Sequence, residues 1–133
     1  MATSLWSNAV KQVSQYAILI ETPGARGTGF VVPSAPGSTN SSIITAWHVI
    51  QHADEWREPI KLTHFPSNKE AFLNAASRNI NSAAGRDQAI IEFSAKDLPL
   101  PTGRLPLMEL DTRLNEGVET GWLGFPAVAP FNL

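Results

Sequence analysis

Two short runs decide how this chain folds: Gly27-Thr28-Gly29-Phe30-Val31-Val32 and Ser42-Ile43-Ile44-Thr45-Ala46-Trp47-His48-Val49-Ile50. Both are rich in β-branched residues. The segment between them, Pro33 to Asn40, holds prolines, a glycine, serines and an asparagine. Together they predict two strands joined by a hairpin connection. Gly27 and Gly29 alternate with Thr28 and Phe30, so one face of the first strand carries almost no side chain. Glycine inside a strand marks the close approach of another backbone or a ligand. The second run is predicted to end on His48, a titratable group at the end of a buried strand.

Upstream, Thr3 to Gln15 predicts a helix. Thr3 or Ser4 can cap it, and Leu5, Trp6, Ala9, Val10 and Val13 fall on one stripe at helical spacing, a face expected to dock on the rest of the fold. Tyr16 to Glu21 follows as a strand closed by Pro23-Gly24. Beyond His48, Val49 to Ala53 predicts a short helical turn, and Ile60 to Phe65 a strand ended by Pro66-Ser67-Asn68. Glu70 to Ala76 suits a strand, Asn79 to Gly85 a small polar loop, and Gln88 to Phe93 an apolar strand. Ala95 to Arg104 is a proline-rich connection, Leu105 to Leu110 is extended, and Val118 to Leu123 is a last strand. About seven short strands separated by turn signals predict a small all-β barrel.

The 133 residues suit one domain or a piece of a larger one, and 43% apolar residues suffice for a core. A net charge of −2 and a pI near 5.9 attract neither nucleic acid nor an anionic membrane. There is no cysteine, hence no disulfide and no thiolate nucleophile or metal ligand. No apolar run approaches the ~20 residues of a membrane span. The start lacks the basic-then-apolar pattern of a signal peptide, which points to the cytoplasm.

The second candidate for chemistry is Asp87, in Gly85-Arg86-Asp87-Gln88-Ala89-Ile90-Ile91. An aspartate at the mouth of an apolar strand can be partly buried, and a buried carboxylate needs a partner. Taken singly, Asp87 equally suits a backbone cap of a strand or loop, and His48 a satisfied core histidine.

Taken together, Gly27-x-Gly29-Phe30, then Thr45-Ala46-x-His48, then Asp87-x-Ala89-Ile90-Ile91 resemble the trypsin-like serine proteases. The absence of cysteine makes the chain most similar to the disulfide-free bacterial branch that includes the HtrA-like enzymes. Gly124-Phe125-Pro126 looks like the stretch that opens the second barrel in that branch. The resemblance covers Tyr16 to Pro126. It implies an N-terminal six-stranded β-barrel of a two-barrel fold behind a short N-terminal helix, with residues 1–15 as the helix, 16–116 as the first barrel and 117–133 as the start of the second. It also implies serine endopeptidase activity on a polypeptide substrate, with His48 as general base and Asp87 as its orienting acid. Trp47 departs from the small or polar residue common before this histidine.

The family's nucleophile sits in a Gly-Asn/Asp-Ser-Gly-Gly segment, and none occurs here. Pro36-Gly37-Ser38-Thr39 lies upstream of the histidine and fits neither order nor context. A base and its orienter without nucleophile or oxyanion hole cannot run acyl transfer. The chain alone is therefore expected to be inactive, as the amino-terminal part of a protease or as a pseudo-enzyme. The alternative is a non-catalytic β-barrel interaction module. The apolar tail, Val118 to Leu133, is expected either to join a missing C-terminal barrel or to self-associate.

A metal site is the remaining rival. His48 and His52 stand at i and i+4, with Asp54 and His64 near in sequence. Zinc hydrolases of that pattern carry Glu after the first His, where this chain has Val49. No metal and no cofactor is expected, and His52 and His64 are expected to be ordinary surface groups.

Overall fold

A computed structural model describes residues 2–32 and 37–100 together with Glu116 and Gly124, with side chains from Ser7 onward. Helix α1 (Ala2–Ser14) leads into strands β1 (Ala17–Thr22), β2 (Ala25–Val32) and β3 (Asn40–Thr45). Helix α2 (Trp47–Glu55) then precedes β4 (Ile60–His64), β5 (Lys69–Leu73), β6 (Arg78–Ala83) and β7 (Gln88–Ser94). All seven strands form one antiparallel sheet in the order β5-β4-β1-β2-β3-β7-β6. The fold is therefore mostly β with two short helices. The expected boundaries at Leu105–Leu110 and Val118–Leu123 lie outside the described residues. Among the described residues no helix is long and apolar enough to cross a membrane.

The sheet curls around a single core. Ile18 and Ile20 of β1, Val31 of β2, Ile43 of β3, Ile60 and Leu62 of β4, Leu73 of β5 and Ile91 of β7 belong to one buried cluster, joined at its edge by Ile80 of β6. A flat sheet could not bring its outer strands β5 and β6 to one cluster; a curled one does so, with Leu73 of β5 fully buried and Ile80 of β6 half-buried against it. Helix α2 closes one end with Val49, Ile50 and Ala53. Leu98, fully buried, joins the cluster from beyond β7.

The outer strands β5 and β6 are consecutive in the chain and are linked by Asn74 and a 3₁₀ turn, Ala75–Ser77. Arg78 fastens this corner. Its guanidinium donates to the carbonyls of Glu58, Leu73 and Ala53, tying the end of β5 to the end of α2. Arg78 is thus a peg between helix and sheet.

Four sequence expectations need correction. First, Asn79–Gly85 is not a loop, since Arg78–Ala83 is strand β6. Its one strongly apolar residue, Ile80, gives no alternation to read, and six residues pair in register with β7 from Arg78↔Phe93 to Ala83↔Gln88. Long-range pairing overrides a weak local signal here. Second, the second run does not end on His48. Strand β3 stops at Thr45, and His48 stands in the first turn of α2. Third, the described half of the α1 stripe does not dock, because Ala9 and Val10 are exposed. The helix is held instead at its C-terminal end. Fourth, the sheet has seven strands where the resemblance implied a barrel of six.

His64 makes that attachment and is not a surface group. It is 4% exposed, with Nε2 2.7 Å from the Gln15 carbonyl and Nδ1 2.7 Å from Ser67 Oγ. The Gln15 contact puts the proton on Nε2, so in the neutral ring Nδ1 accepts from the Ser67 hydroxyl.

Candidate active site

Gly27 makes room for the element that carries His48, and Gly29 for the core side chains of the neighbouring strands. A β-carbon at Gly27 would stand 2.6 Å from Val49 Cγ2, and one at Gly29 would collide with Ile43 and Ile20. The approach that Gly27 permits is by a side chain, and at Gly29 the Ile44 carbonyl lies close, 3.2 Å from where a β-carbon would stand, besides the two isoleucine side chains. Val49 seats directly on β2, which sets the position of the first turn of α2 and of His48 next to it.

That turn has an unusual start. Its N-cap, Ala46, is extended (φ −77°, ψ 139°) and makes no side-chain capping bond. Asp87 provides the capping from another part of the chain. Its main-chain carbonyl accepts from the Trp47 amide at 3.1 Å, and its Oδ1 accepts from the His48 amide at 2.8 Å. A carboxylate at a helix N-terminus meets both free amides and the positive end of the dipole. Asp87 reaches this place in the left-handed region, φ 51° and ψ 46°, between a 3₁₀ turn (Ala84–Arg86) and β7. Aspartate adopts that conformation more readily than most residues.

The second carboxylate oxygen goes to the ring. Oδ2 of Asp87 lies 2.6 Å from His48 Nδ1. These bonds hold the Asp87 carboxyl below the usual carboxylate range, the His48 side chain contributing most and its amide next. An ionised carboxylate only accepts, so Nδ1 carries the proton and the neutral ring keeps its lone pair on Nε2. The His48 side chain is 72% exposed. Among the described residues Nε2 has no hydrogen-bond partner. The arrangement is an oriented base with its basic edge open to solvent.

The two residues singled out in sequence, 39 positions apart, are thus in direct contact. Trp47, the departure noted before the histidine, packs against the core. His52 does not join His48. Its Nδ1 lies 2.6 Å from Glu58 Oε1, and its ring stacks on Trp56 with centroids 5.9 Å apart. This second histidine–carboxylate pair was not foreseen; its only sequence signal was an acid six residues after a histidine at a helix end. Asp54 lies instead beside Arg78, whose charge it favours. Among the described residues no three His, Asp or Glu side chains converge as metal ligands would. Comparison of the chain with protein-family models, with curated proteins and with solved structures finds no match.

Proposed function

We propose that this chain is the amino-terminal barrel of a trypsin-like serine endopeptidase, with His48 as general base and Asp87 as the group that orients it. The observation that carries the reading is the double hold of Asp87 on His48, at the amide and at Nδ1, with Nε2 left open. In acyl transfer, Nε2 takes the serine proton as the hydroxyl attacks the peptide carbonyl, then returns it to the leaving amine. Asp87 stays ionised throughout and stabilises the imidazolium, a role its lowered pKa suits. The serine and the N–H groups of an oxyanion hole come from a second barrel facing the exposed edge of His48. The sheet order supports the same plan. Counted as one strand bent at residues 74–77, β5 and β6 reduce seven strands to six, paired at either end to β4 and β7.

A second reading is favoured by a specific observation. Asp87 caps α2 through both its carbonyl and Oδ1, a structural task that needs no catalysis. On that reading the barrel is a non-catalytic interaction module. A serine-reactive fluorophosphonate applied to the intact protein that carries this chain separates the two. Labelling that disappears in His48→Ala supports the protease. Labelling that persists undiminished in His48→Ala, or never occurs, supports the module.

A further inference from the structure

The corner that Arg78 fastens also holds a polar cleft. A cavity of about 170 Å³ opens there, lined by Asp54, Arg57, Ala75, Arg78, Asn79 and Ile80. Two of these residues carry a guanidinium and one a carboxylate, so the cleft has one unit of positive charge in excess. Burial holds the Arg78 pKa below the usual arginine range; Asp54 offsets this, and the nearby charge of Arg57 adds to it.

Both arginines have donors to spare. Arg78 gives three of its five N–H groups to the carbonyls of Glu58, Leu73 and Ala53, which fixes its fork in place. Nε–H and one N–H of Nη2 remain without a partner among the described residues, on neighbouring nitrogens of the kind a carboxylate meets with both oxygens. The Arg57 guanidinium makes no hydrogen bond or ion pair among the described residues. Arg57 follows the C-cap of α2 and stands in the left-handed region, φ 54°. There the helix is closed by the Glu58 amide donating to the Ala53 carbonyl at 2.8 Å and the Arg57 amide to that of Asp54 at 3.4 Å. Glycine is the usual residue at such a stop, so the stop accounts for the backbone and not for a long cationic side chain.

We propose that this cleft binds a carboxylate, received by the uncommitted N–H groups of Arg78 and by Arg57. Asp54 sets the charge: beside it the cleft accepts one negative charge and disfavours the two of a phosphate dianion. A planar, bidentate group also matches the guanidinium fork. A small organic acid and an acidic residue of a polypeptide present the same chemistry, and the test separates them. Neither His48 nor Asp87 enters the inference, so it stands or falls apart from the catalytic reading.

The test is a titration of the full ¹⁵N-labelled chain with acetate at neutral pH and constant ionic strength, with acetamide as the uncharged control. The amides of Arg57, Ala75, Arg78, Asn79 and Ile80 should shift and saturate with acetate and stay in place with acetamide. Arg57→Gly should weaken acetate binding about tenfold, the scale of one charge-assisted hydrogen bond. Its urea midpoint should hold or rise, because glycine suits the left-handed position, so the loss is not one of folding. Arg57→Asn, which also tolerates that backbone, should act in the same direction. Asp54→Asn should tighten binding several-fold. A capped peptide with a central glutamate that binds several-fold more tightly than acetate, its glutamine counterpart being inert, would give the site to a polypeptide; affinity equal to that of acetate would give it to a free acid. Shifts that never saturate, or that acetamide reproduces, would overturn the proposal. So would tighter binding of inorganic phosphate than of acetate, binding indifferent to both Arg57 variants, or an Asp54→Asn chain that binds no better.

Discussion

Asp87 grips His48 at main chain and ring together, with Oδ1 2.8 Å from the amide nitrogen and Oδ2 2.6 Å from Nδ1. The first contact starts a helix and the second fixes a tautomer, and one substitution separates them. In Asp87→Asn the amide oxygen still caps α2, because asparagine caps as well as aspartate. Its NH₂ then faces Nδ1, which must accept, so the proton moves to Nε2. The chain is expected to fold with the His48 tautomer reversed, visible in ¹⁵N spectra of the imidazole. On the proposed protease reading, turnover is expected to fall by about 10⁴-fold, the scale of a reversed triad tautomer. An unchanged tautomer would end the orienting role of Asp87.

Acid should reveal the same bond. Folding lowers the Asp87 carboxyl below its ordinary 3.8. As pH falls through that window the unfolded chain binds the proton first, so stability declines on acidification. The contribution is complete above the ordinary value and is lost as pH drops through the folded one. The urea midpoint of the wild type should therefore fall more steeply than that of Asp87→Asn as the pH drops below the ordinary 3.8. Parallel curves would contradict this.

Gly27 is needed for space. Gly27→Ala drives a β-carbon to 2.6 Å from Val49 Cγ2. Such overpacking costs about 1–3 kcal/mol. Val49→Ala removes the opposing methyl groups, so the double variant should lose less than the sum of the two single ones. Denaturant titration of the four proteins measures this coupling. Additive losses would mean that α2 does not seat on β2 through this contact.

Arg78 should matter far more than an ordinary surface arginine. Arg78→Met strands the carbonyls of Glu58, Leu73 and Ala53, and a loss of about 3 kcal/mol is expected. Arg78→Lys should recover only part of it, because one ammonium replaces a planar fork. Denaturant midpoints of the two variants decide, and a loss within the noise would remove Arg78 as the corner's peg.

Strands whose residues alternate or cluster as apolar runs were legible in the sequence: β1, the β2–β3 hairpin, β4 and β7 all stand within a few residues of their expected places. The pairing of His48 with Asp87 was legible as two motifs in order. Strand β6 was not, because Arg-Asn-Ile-Asn-Ser-Ala owes its conformation to β7 and not to its own composition. The start of α2 was hidden for a related reason. A helix start is read from a capping side chain at the N-cap, and Ala46 has none to offer; the cap arrives from Asp87. His64 was misplaced because histidine is polar by type, while here both ring nitrogens are satisfied indoors by Gln15 and Ser67.

The double duty of Asp87 has a consequence for how far each partner can be changed. Whatever the histidine does, discarding this aspartate would cost α2 its start along with the bond to the ring. The imidazole of His48 has no such protection: exposed, and bonded within the described structure through Nδ1 alone, it can be exchanged without disturbing the core. Substitution at position 48 would therefore leave the start of α2 intact, whereas an aliphatic residue at position 87 would remove both the side-chain cap and the ring contact, so the two residues in contact are under unequal structural constraint.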